Sequence, residues 1–292
     1  MNTNRINLRL HASRISKRIG LLLAVFCLVE SNVNAQDPNF HIYLSLGQSN
    51  MEGAARIEPQ DTINVSKRFK VLQAVDCENG RKMGNWYTAV PPLTRCNTGL
   101  TLVDYFGRTI IENMPENVSV GAIVVAVGGC KIELFDKANY QSYTQTAPEW
   151  MKGMLQAYDG NPYQRLITLA KAAQKDGVIK GILLHQGESN TGDQLWPEKV
   201  KALYHSILTD LNLKQDQVPL LAGEVVHKAQ NGKCASMNEI IDTLPAVIPN
   251  AHVISSEGCS VADDQLHFNA AGYRELGKRY AKEMLTILSS KK

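Results

Sequence analysis

Three residue types that together can cleave an ester occur at two distant places in the chain. An apolar run at residues 42–46 leads directly to Ser49, and Asp264 precedes His267 by three positions. A serine hydroxyl becomes a useful nucleophile when an imidazole takes its proton, and a carboxylate holds that imidazole in the required tautomer. Ser49, His267 and Asp264 are therefore candidates for the nucleophile, the base and the orienting acid of a serine esterase.

Other polar or glycine residues follow the apolar run at residues 42–46 and two further apolar runs. They are Gln48 and Asn50 beside Ser49, Gly128 and Gly129 after the second run, and Gln186 and Glu188 after the third. Ligands of open parallel sheets bind beyond the carboxyl ends of the strands, so these residues are candidates for the oxyanion hole or for substrate binding, except Glu188, which is a candidate for catalysis. We expect the backbone N–H groups of Ser49 and Gly129 and the side-chain amide of Gln186 to stabilise an oxyanion.

Several of these residues also have purely structural interpretations. Asp264 could cap the last helix, since aspartate favours helix N-termini. Glu188 could form an ion pair or cap a loop, but it is also a rival to Asp264 as the acid that orients His267. His185 follows a buried strand and is interpreted as a core histidine. Trp86 and Trp196 could stack on a sugar or could pack beneath their loops.

The elements that must position these residues alternate between strands and helices. Apolar runs typical of strands buried on both faces cover residues 42–46, 119–127, 179–185, 219–226 and 252–255. Amphipathic stretches predict helices at residues 100–113, 162–175, 197–213, 238–244 and 270–288. Because parallel strands need long and usually helical crossovers, the pattern predicts an α/β fold, a three-layer α/β/α sandwich with a mostly parallel five-stranded sheet.

Two stretches do not follow this alternation. Residues 58–99 form a predicted insertion, and residues 131–160 form a second irregular stretch. Long ordered loops in such folds commonly shape the substrate site.

The first 35 residues have the pattern of a signal peptide. Basic residues are followed by an apolar segment too short to span a bilayer, and Ala35 ends a small-residue cleavage site. We therefore expect a secreted or periplasmic protein with one domain at residues 36–292. The alternative is an uncleaved N-terminal anchor.

Charge and spacing limit the possible partners. The leader holds five of the 31 basic residues and one of the 28 acidic ones, which leaves 26 basic against 27 acidic side chains. The rest of the sequence has no basic patch that would indicate binding to nucleic acid. It also has no second apolar segment that would indicate a membrane span after leader cleavage. No recognised metal-ligand spacing is present, so we expect no metal and no other cofactor. The oligomeric state does not follow from the sequence.

Because we expect an exported protein, the cysteines of residues 36–292 are candidates for disulfide bonds. The pairs of shortest loop are Cys77 with Cys96 and Cys234 with Cys259, which leaves Cys130 unpaired. Sequence alone does not fix the connectivity.

Four blocks together resemble one known group of enzymes. Residues 47–51, 128–129, 185–190 and 264–267 resemble, in order, the sialate O-acetylesterase-like branch of the SGNH hydrolase superfamily, which includes the acetylxylan esterases of carbohydrate esterase family 6. The resemblance implies a flavodoxin-like fold, removal of acetyl groups from carbohydrate and no metal. It implies Ser49 as nucleophile, His267 as base and Asp264 or Glu188 as acid, with Gln186 corresponding only by position to an oxyanion-hole asparagine. Cys130 stands where Thr or Ser is expected.

The sequence thus predicts an exported serine esterase that removes O-acetyl groups from carbohydrate through an acyl-enzyme. The substrate is an acetylated polysaccharide such as xylan or an O-acetylated sialic acid, and the sequence does not decide which. The alternatives are an idle carbohydrate-binding protein on the same fold and a short-chain lipase or thioesterase. The chain has no long apolar lid, which disfavours a lipase.

Overall fold

The computed structural model describes residues 36–290, so the predicted signal peptide lies outside the described residues. The strands are β1 Asp37–Gly47, β2 Phe69–Leu72, β3 Trp86–Thr88, β4 Ser119–Ala126, β5 Gly177–His185, β6 Leu220–Gly223 and β7 Ala251–Ile254. The α-helices are α1 Ser49–Glu52, α2 Pro59–Thr62, α3 Leu102–Asn113, α4 Tyr140–Thr146, α5 Glu149–Gln156, α6 Pro162–Ala173, α7 Trp196–Asp210, α8 Asn238–Ile241, α9 Leu244–Val247 and α10 Ala270–Ser290. Short 3-10 helices lie at Ile132–Phe135, Glu188–Asn190, Lys228–Gln230 and Ala235–Met237. None of these described helices is long and apolar enough to cross a membrane.

One sheet contains all seven of these strands, in the order β3-β2-β4-β1-β5-β6-β7. Every pairing is parallel except that of β2 with β3. The five strands that the sequence predicts are β4, β1, β5, β6 and β7, and numbered among themselves they follow the order 2-1-3-4-5 of flavodoxin-like folds. The direction of the crossovers changes beside β1, so the crevice for a ligand is expected where β1 and β5 end.

Residues that alternate along the central strands enter two separate cores. Leu44 and Leu46 of β1 belong to the cluster that α6 and α7 cover, whereas Tyr43 belongs to the cluster covered by α3 and α10. Successive strand side chains point to opposite faces, so strands that are apolar throughout must be covered on both sides. The predicted three-layer sandwich is confirmed.

The number of strands and the irregular stretches need correction. The predicted insertion at residues 58–99 contributes β2 and β3, which extend the sheet from five strands to seven. These strands have four and three residues, too few to show a period in the sequence. The stretch at residues 131–160 contains α4 and α5, of seven and eight residues, which are equally short signals.

One of the two predicted disulfides forms. Cys77 and Cys96 are bonded and close a loop within the second half of the insertion. The predicted pair Cys234 and Cys259 is wrong, since both thiols are free. Cys259 lies in the core on the α10 face, and Cys234 packs against the core on the other face of the sheet. A short loop in sequence therefore does not bring these two sulfur atoms together.

Candidate active site

Ser49 lies immediately beyond the end of the central strand β1. Gly47 ends that strand with a φ of 154°, and a β-carbon there would lie 2.1 Å from the carbonyl oxygen of His185 on β5. A side chain at this position is therefore excluded, and glycine lets the two strands end against each other. The chain then turns into α1, where Ser49 is the first residue and is half-buried.

Ser49, His267 and Asp264 form a continuous hydrogen-bonded line. The Oγ atom of Ser49 lies 2.8 Å from Nε2 of His267, and Nδ1 of the same ring lies 2.6 Å from Oδ2 of Asp264. If Nδ1–H donates to the carboxylate, Nε2 of the neutral ring is an acceptor for the serine proton. The structure thus brings together the three residues that the sequence singles out for nucleophilic chemistry.

Asp264 is fixed by a turn of the backbone and not by a helix. Its Oδ1 accepts the N–H groups of Leu266 and His267, both at 2.9 Å, while the last helix begins only at Ala270. Partial burial acts to raise the pKa of Asp264, but the hydrogen bonds from His267 and Leu266 outweigh it and lower the pKa to about 2. The carboxylate is therefore ionised at neutral pH and can stabilise an imidazolium.

Glu188 lies close to the site but makes no hydrogen bond to His267. It is buried, its Oε1 accepts from Nδ2 of Asn50 at 2.5 Å, and its Oε2 has no partner among the described residues. Burial raises the pKa of Glu188 despite that hydrogen bond and the nearby His267. Of the two rival acids, the structure therefore places Asp264 against the imidazole.

His185 is the core histidine that the sequence indicates. Its side chain is fully buried, and Nδ1 lies 3.3 Å from the hydroxyl of Tyr280, which itself donates to the carbonyl of Leu184. Burial lowers the pKa of His185 to about 3, so the ring is neutral at ordinary pH. In residues 36–290 no three His, Cys, Asp or Glu side chains are grouped so as to hold a metal ion.

The backbone N–H groups of Ser49 and Gly129 are available to bind an oxyanion. Among the described residues, neither the N–H of Ser49 nor that of Gly129 has a hydrogen-bond partner. Gly129 has a φ of 70°, which favours glycine, and its carbonyl accepts from Oγ of Ser189 at 3.0 Å. The N–H of Gly128 is not available, because it donates to Glu52 at 3.2 Å. Gly128 therefore shapes the loop, and Gly129 presents the free donor.

Gln186 does not present a free amide to the site, contrary to the expectation from sequence. Its Nε2 lies within hydrogen-bond distance of Gln48, Cys130 and Asn190, and its Oε1 accepts from the indole of Trp196. The indole can only donate, so the orientation of the amide is fixed. Both amide hydrogens have acceptors within the protein. Gln186 thus ties the loop after β5 to the loop after β4 and is not an oxyanion donor.

Gln48 has a side-chain donor without a partner. Its Oε1 accepts the N–H of Ser189 and Nε2–H of Gln186, both at 3.2 Å. An N–H can only donate, so the oxygen must face inwards and Nε2 must point the other way. No described residue supplies an acceptor for that Nε2. Gln48 therefore remains a candidate for contact with the substrate.

Cys130 occupies the position where the resembling family suggests a hydroxyl residue. It is buried, and its thiol lies 3.7 Å from the carbonyl oxygen of Gly47. This weak hydrogen bond links the loop after β4 to the end of β1. The thiol thus makes a contact that a Thr or Ser hydroxyl at this position would make. Burial raises the pKa of Cys130, which keeps the thiol neutral.

Comparison with known proteins identifies the family. The model of the SASA family, carbohydrate esterase, sialic acid-specific acetylesterase, matches residues 39–286. The chain belongs to this family. The X-ray structure of the Arabidopsis thaliana protein AT4G34215 is 18% identical with a TM-score of 0.65, and the match covers 86% of this chain and 99% of that one. The crystal structure of NanS is 15% identical with a TM-score of 0.60, covering 87% of this esterase and 99% of that chain. At these identities the two structures show a shared fold.

Asn50 of this esterase holds the histidine loop and does not face the substrate. It is fully buried, and its Oδ1 accepts the N–H of Phe268 at 3.2 Å and the hydroxyl of Tyr273 at 2.8 Å. Its Nδ2 donates to the carbonyl of Leu266 at 3.1 Å and to Glu188. Leu266 and Phe268 flank His267, so the residue after the nucleophile fixes the position of the base. The expectation that Asn50 binds substrate needs this correction.

Replacing Asn50 should therefore weaken both the fold and the activity. In Asn50→Ala the buried partners of the amide lose their hydrogen bonds, and we expect the free energy of unfolding to fall by about 3 kcal/mol. We expect kcat to fall roughly a hundredfold, as when groups that orient catalytic ligands are removed. Urea unfolding and steady-state kinetics measure the two effects. A variant with wild-type kcat would show that Asn50 does not position His267.

The tryptophans that the sequence singles out do not face the site. Trp196 is fully buried beneath the loop after β5, where it donates to Gln186. Trp86 packs edge-on against Phe40 and donates to Asp176, which precedes β5 and so lies at the opposite end of the strands from Ser49. The exposed aromatic residue near the site is Trp150, which the sequence reasoning missed. Because Met151 and Leu155 are buried on one face of α5, the side chain of Trp150 points outward.

Proposed function

We propose that this protein is an exported serine esterase that removes O-acetyl groups from carbohydrate, either an acetylated polysaccharide such as xylan or an O-acetylated sialic acid. The observation that carries the proposal is the line from Ser49 through His267 to Asp264, with 2.8 and 2.6 Å between successive partners, beside two unpaired backbone N–H groups. Membership of a carbohydrate esterase family supports the substrate class. The leader pattern at residues 1–35 supports export.

The first half of the reaction forms an acetyl-enzyme. Oγ of Ser49 attacks the acetyl carbonyl carbon while its proton passes to Nε2 of His267. The carbonyl oxygen becomes an oxyanion and accepts the N–H groups of Ser49 and Gly129. The carbon–oxygen bond to the sugar then breaks, and the proton on His267 passes to the departing sugar oxygen. Asp264 stabilises the imidazolium throughout these transfers.

The second half releases acetate and restores the serine. Water gives a proton to Nε2 of His267 and attacks the acetyl carbon, which again forms an oxyanion on the same two N–H groups. When that intermediate collapses, Oγ of Ser49 takes back the proton from His267, and acetic acid leaves and loses its remaining proton to water. A buried and neutral His185 takes no part in these transfers.

A comparison of acyl chain lengths tests the proposal against its alternatives. We expect hydrolysis of p-nitrophenyl acetate to exceed that of the butyrate and octanoate esters, and acetate to be released from at least one acetylated xylan or O-acetylated sialic acid. A preference for the butyrate or octanoate ester would favour a lipase or thioesterase, because such an enzyme stabilises a longer apolar acyl chain in its transition state. Binding of a glycan without acetate release would favour an idle carbohydrate-binding protein.

A further inference from the structure

Trp150 exposes an unusually large apolar surface. The side chain is 62% exposed on α5, whose Met151 and Leu155 are buried in the core. The indole is therefore held outward by a helix that is itself anchored. Large exposed apolar groups beside polar ones commonly mark binding surfaces. A single exposed aromatic residue is not enough, so its surroundings decide what it binds.

The indole touches the loop that presents the oxyanion donor. A β-carbon at Gly129 would lie 2.6 Å from Cη2 of Trp150. The N–H of Gly129 has no partner among the described residues, and Gly129 follows β4, whose end pairs with the end of β1 two residues before Ser49. A group stacked on the indole would therefore lie next to the loop whose N–H is assigned to the oxyanion.

The same face of α5 forms one wall of a groove of about 590 Å³. Trp150, Gly153 and Met154 on that face line it, together with Ala157, which directly follows the helix. The polar wall of the groove consists of Asp76, Arg95 and Asn97, which are close in sequence to the Cys77–Cys96 disulfide. The volume lies within the range that holds small organic ligands. Ser49 and His267 are not among the lining residues, so a group in this groove is not the one whose ester is cleaved.

Arg95 connects the polar wall to the loops that carry the candidate active site. Arg95 forms an ion pair with Glu52 of α1, and Glu52 also accepts the N–H of Gly128. The groove and the candidate active site thus share a single hydrogen-bonded frame. A ligand that spans both would meet a preorganised surface, which reduces the entropy lost on binding.

The chemistry of the groove matches a sugar ring. A pyranose has a face of C–H groups that stacks on an aromatic ring and a rim of hydroxyls that bonds carboxylate, amide and guanidinium groups. Given the proposed esterase function, on which this inference rests, the geometry points to a subsite for a second sugar, adjacent to the one that carries the acetyl group. The enzyme therefore acts on acetylated oligosaccharides in preference to acetylated monosaccharides.

The first test compares oligosaccharides with monosaccharides in variants of the groove. The probes are acetylated xylo- and manno-oligosaccharides and O-acetylated sialyllactose, each against its acetylated monosaccharide. For at least one pair, the ratio of the two kcat/KM values should favour the oligosaccharide. That ratio should fall about tenfold in Trp150→Ala, mainly through KM, and be largely restored in Trp150→Phe. An oligosaccharide preference that is absent, or that persists in Trp150→Ala, overturns the subsite.

A second pair of variants fills the groove and leaves the indole in place. A β-carbon at Gly153 would meet no atom within 4 Å, so Gly153→Leu should fold and should lower the same ratio at least tenfold by occupying the groove. Lys152→Leu is the matched control, because Lys152 is exposed on the same helix but does not line the groove. Equal ratios for the two leucine variants would contradict the inference.

Binding without turnover separates this inference from the proposed function. Calorimetric titration of the Ser49→Ala protein with deacetylated oligosaccharides should show binding that Trp150→Ala weakens about tenfold. If the wild type hydrolyses none of the esters, including p-nitrophenyl acetate, the proposed function fails and the subsite of an esterase fails with it. If the wild type is active but the titration shows no effect of Trp150→Ala, the subsite alone is wrong.

Discussion

Ser49→Ala is expected to lower esterase activity by on the order of a thousandfold or more while the protein stays folded, because the members of a catalytic triad act as a unit. The hydroxyl at this position is half-buried and bonds to His267 alone among the described side chains. Its removal therefore takes away the nucleophile with little change in packing. The residual rate should come from the two N–H groups that bind the oxyanion, which the substitution leaves in place.

The measurement is kcat/KM on p-nitrophenyl acetate, with circular dichroism and thermal unfolding to show that the fold is retained. Ser142→Ala is a suitable control, since that serine is exposed on α4 and donates only to the carbonyl of Asn139. Mass spectrometry of the wild type during turnover should also find an acetyl group on the peptide that contains Ser49. Wild-type activity in a folded Ser49→Ala protein would remove Ser49 from the mechanism.

The sequence predicts the fold and the positions of the site loops well, for a physical reason. Strands buried on both faces must be apolar throughout, so the points where polar residues begin mark the ends of the strands. Parallel strands end at the same edge of the sheet, which brings Ser49, Gly129 and the loop after β5 together. The edge strands β2 and β3 are too short to show any period, and they escape prediction.

The sequence does not predict which way a side-chain amide points. Gln186, Gln48 and Asn50 all lie beside Ser49 and look equally suited to bind substrate. Their orientations depend on partners that are remote in sequence, such as the indole of Trp196 and the backbone of Leu266. Such partners use both hydrogens of Gln186 and every group of Asn50, whereas the NH₂ group of Gln48 has no acceptor among the described residues. Only the folded hydrogen-bond network distinguishes a supporting amide from one that faces the site.

Asp264→Asn should cost far more activity than Glu188→Gln. Oδ1 of Asp264 accepts two backbone N–H groups, so an asparagine must keep its oxygen there and turn its NH₂ group towards Nδ1 of His267. The ring would then carry its proton on Nε2 and could not accept the proton of Ser49. A change to the wrong tautomer costs about ten-thousandfold in kcat where it has been measured in a serine protease. We expect a loss of that order here.

Glu188→Gln should cost much less, because the glutamine oxygen can still accept from Nδ2 of Asn50 and no hydrogen bond to His267 is lost. Burial already raises the pKa of Glu188, so a neutral side chain suits this position better than a charge does. We expect kcat to stay within about tenfold of wild type, since only a buried structural contact is altered.

The kinetic comparison of the two single variants and the double variant decides which acid orients His267. If Asp264 acts alone, adding Glu188→Gln to Asp264→Asn should change little further, whereas two acids that share the task would give modest single losses and a much larger double loss. A crippled Glu188→Gln protein beside a nearly normal Asp264→Asn protein would reverse the assignment. Asp264 would then serve only to hold the turn that it forms with Leu266 and His267.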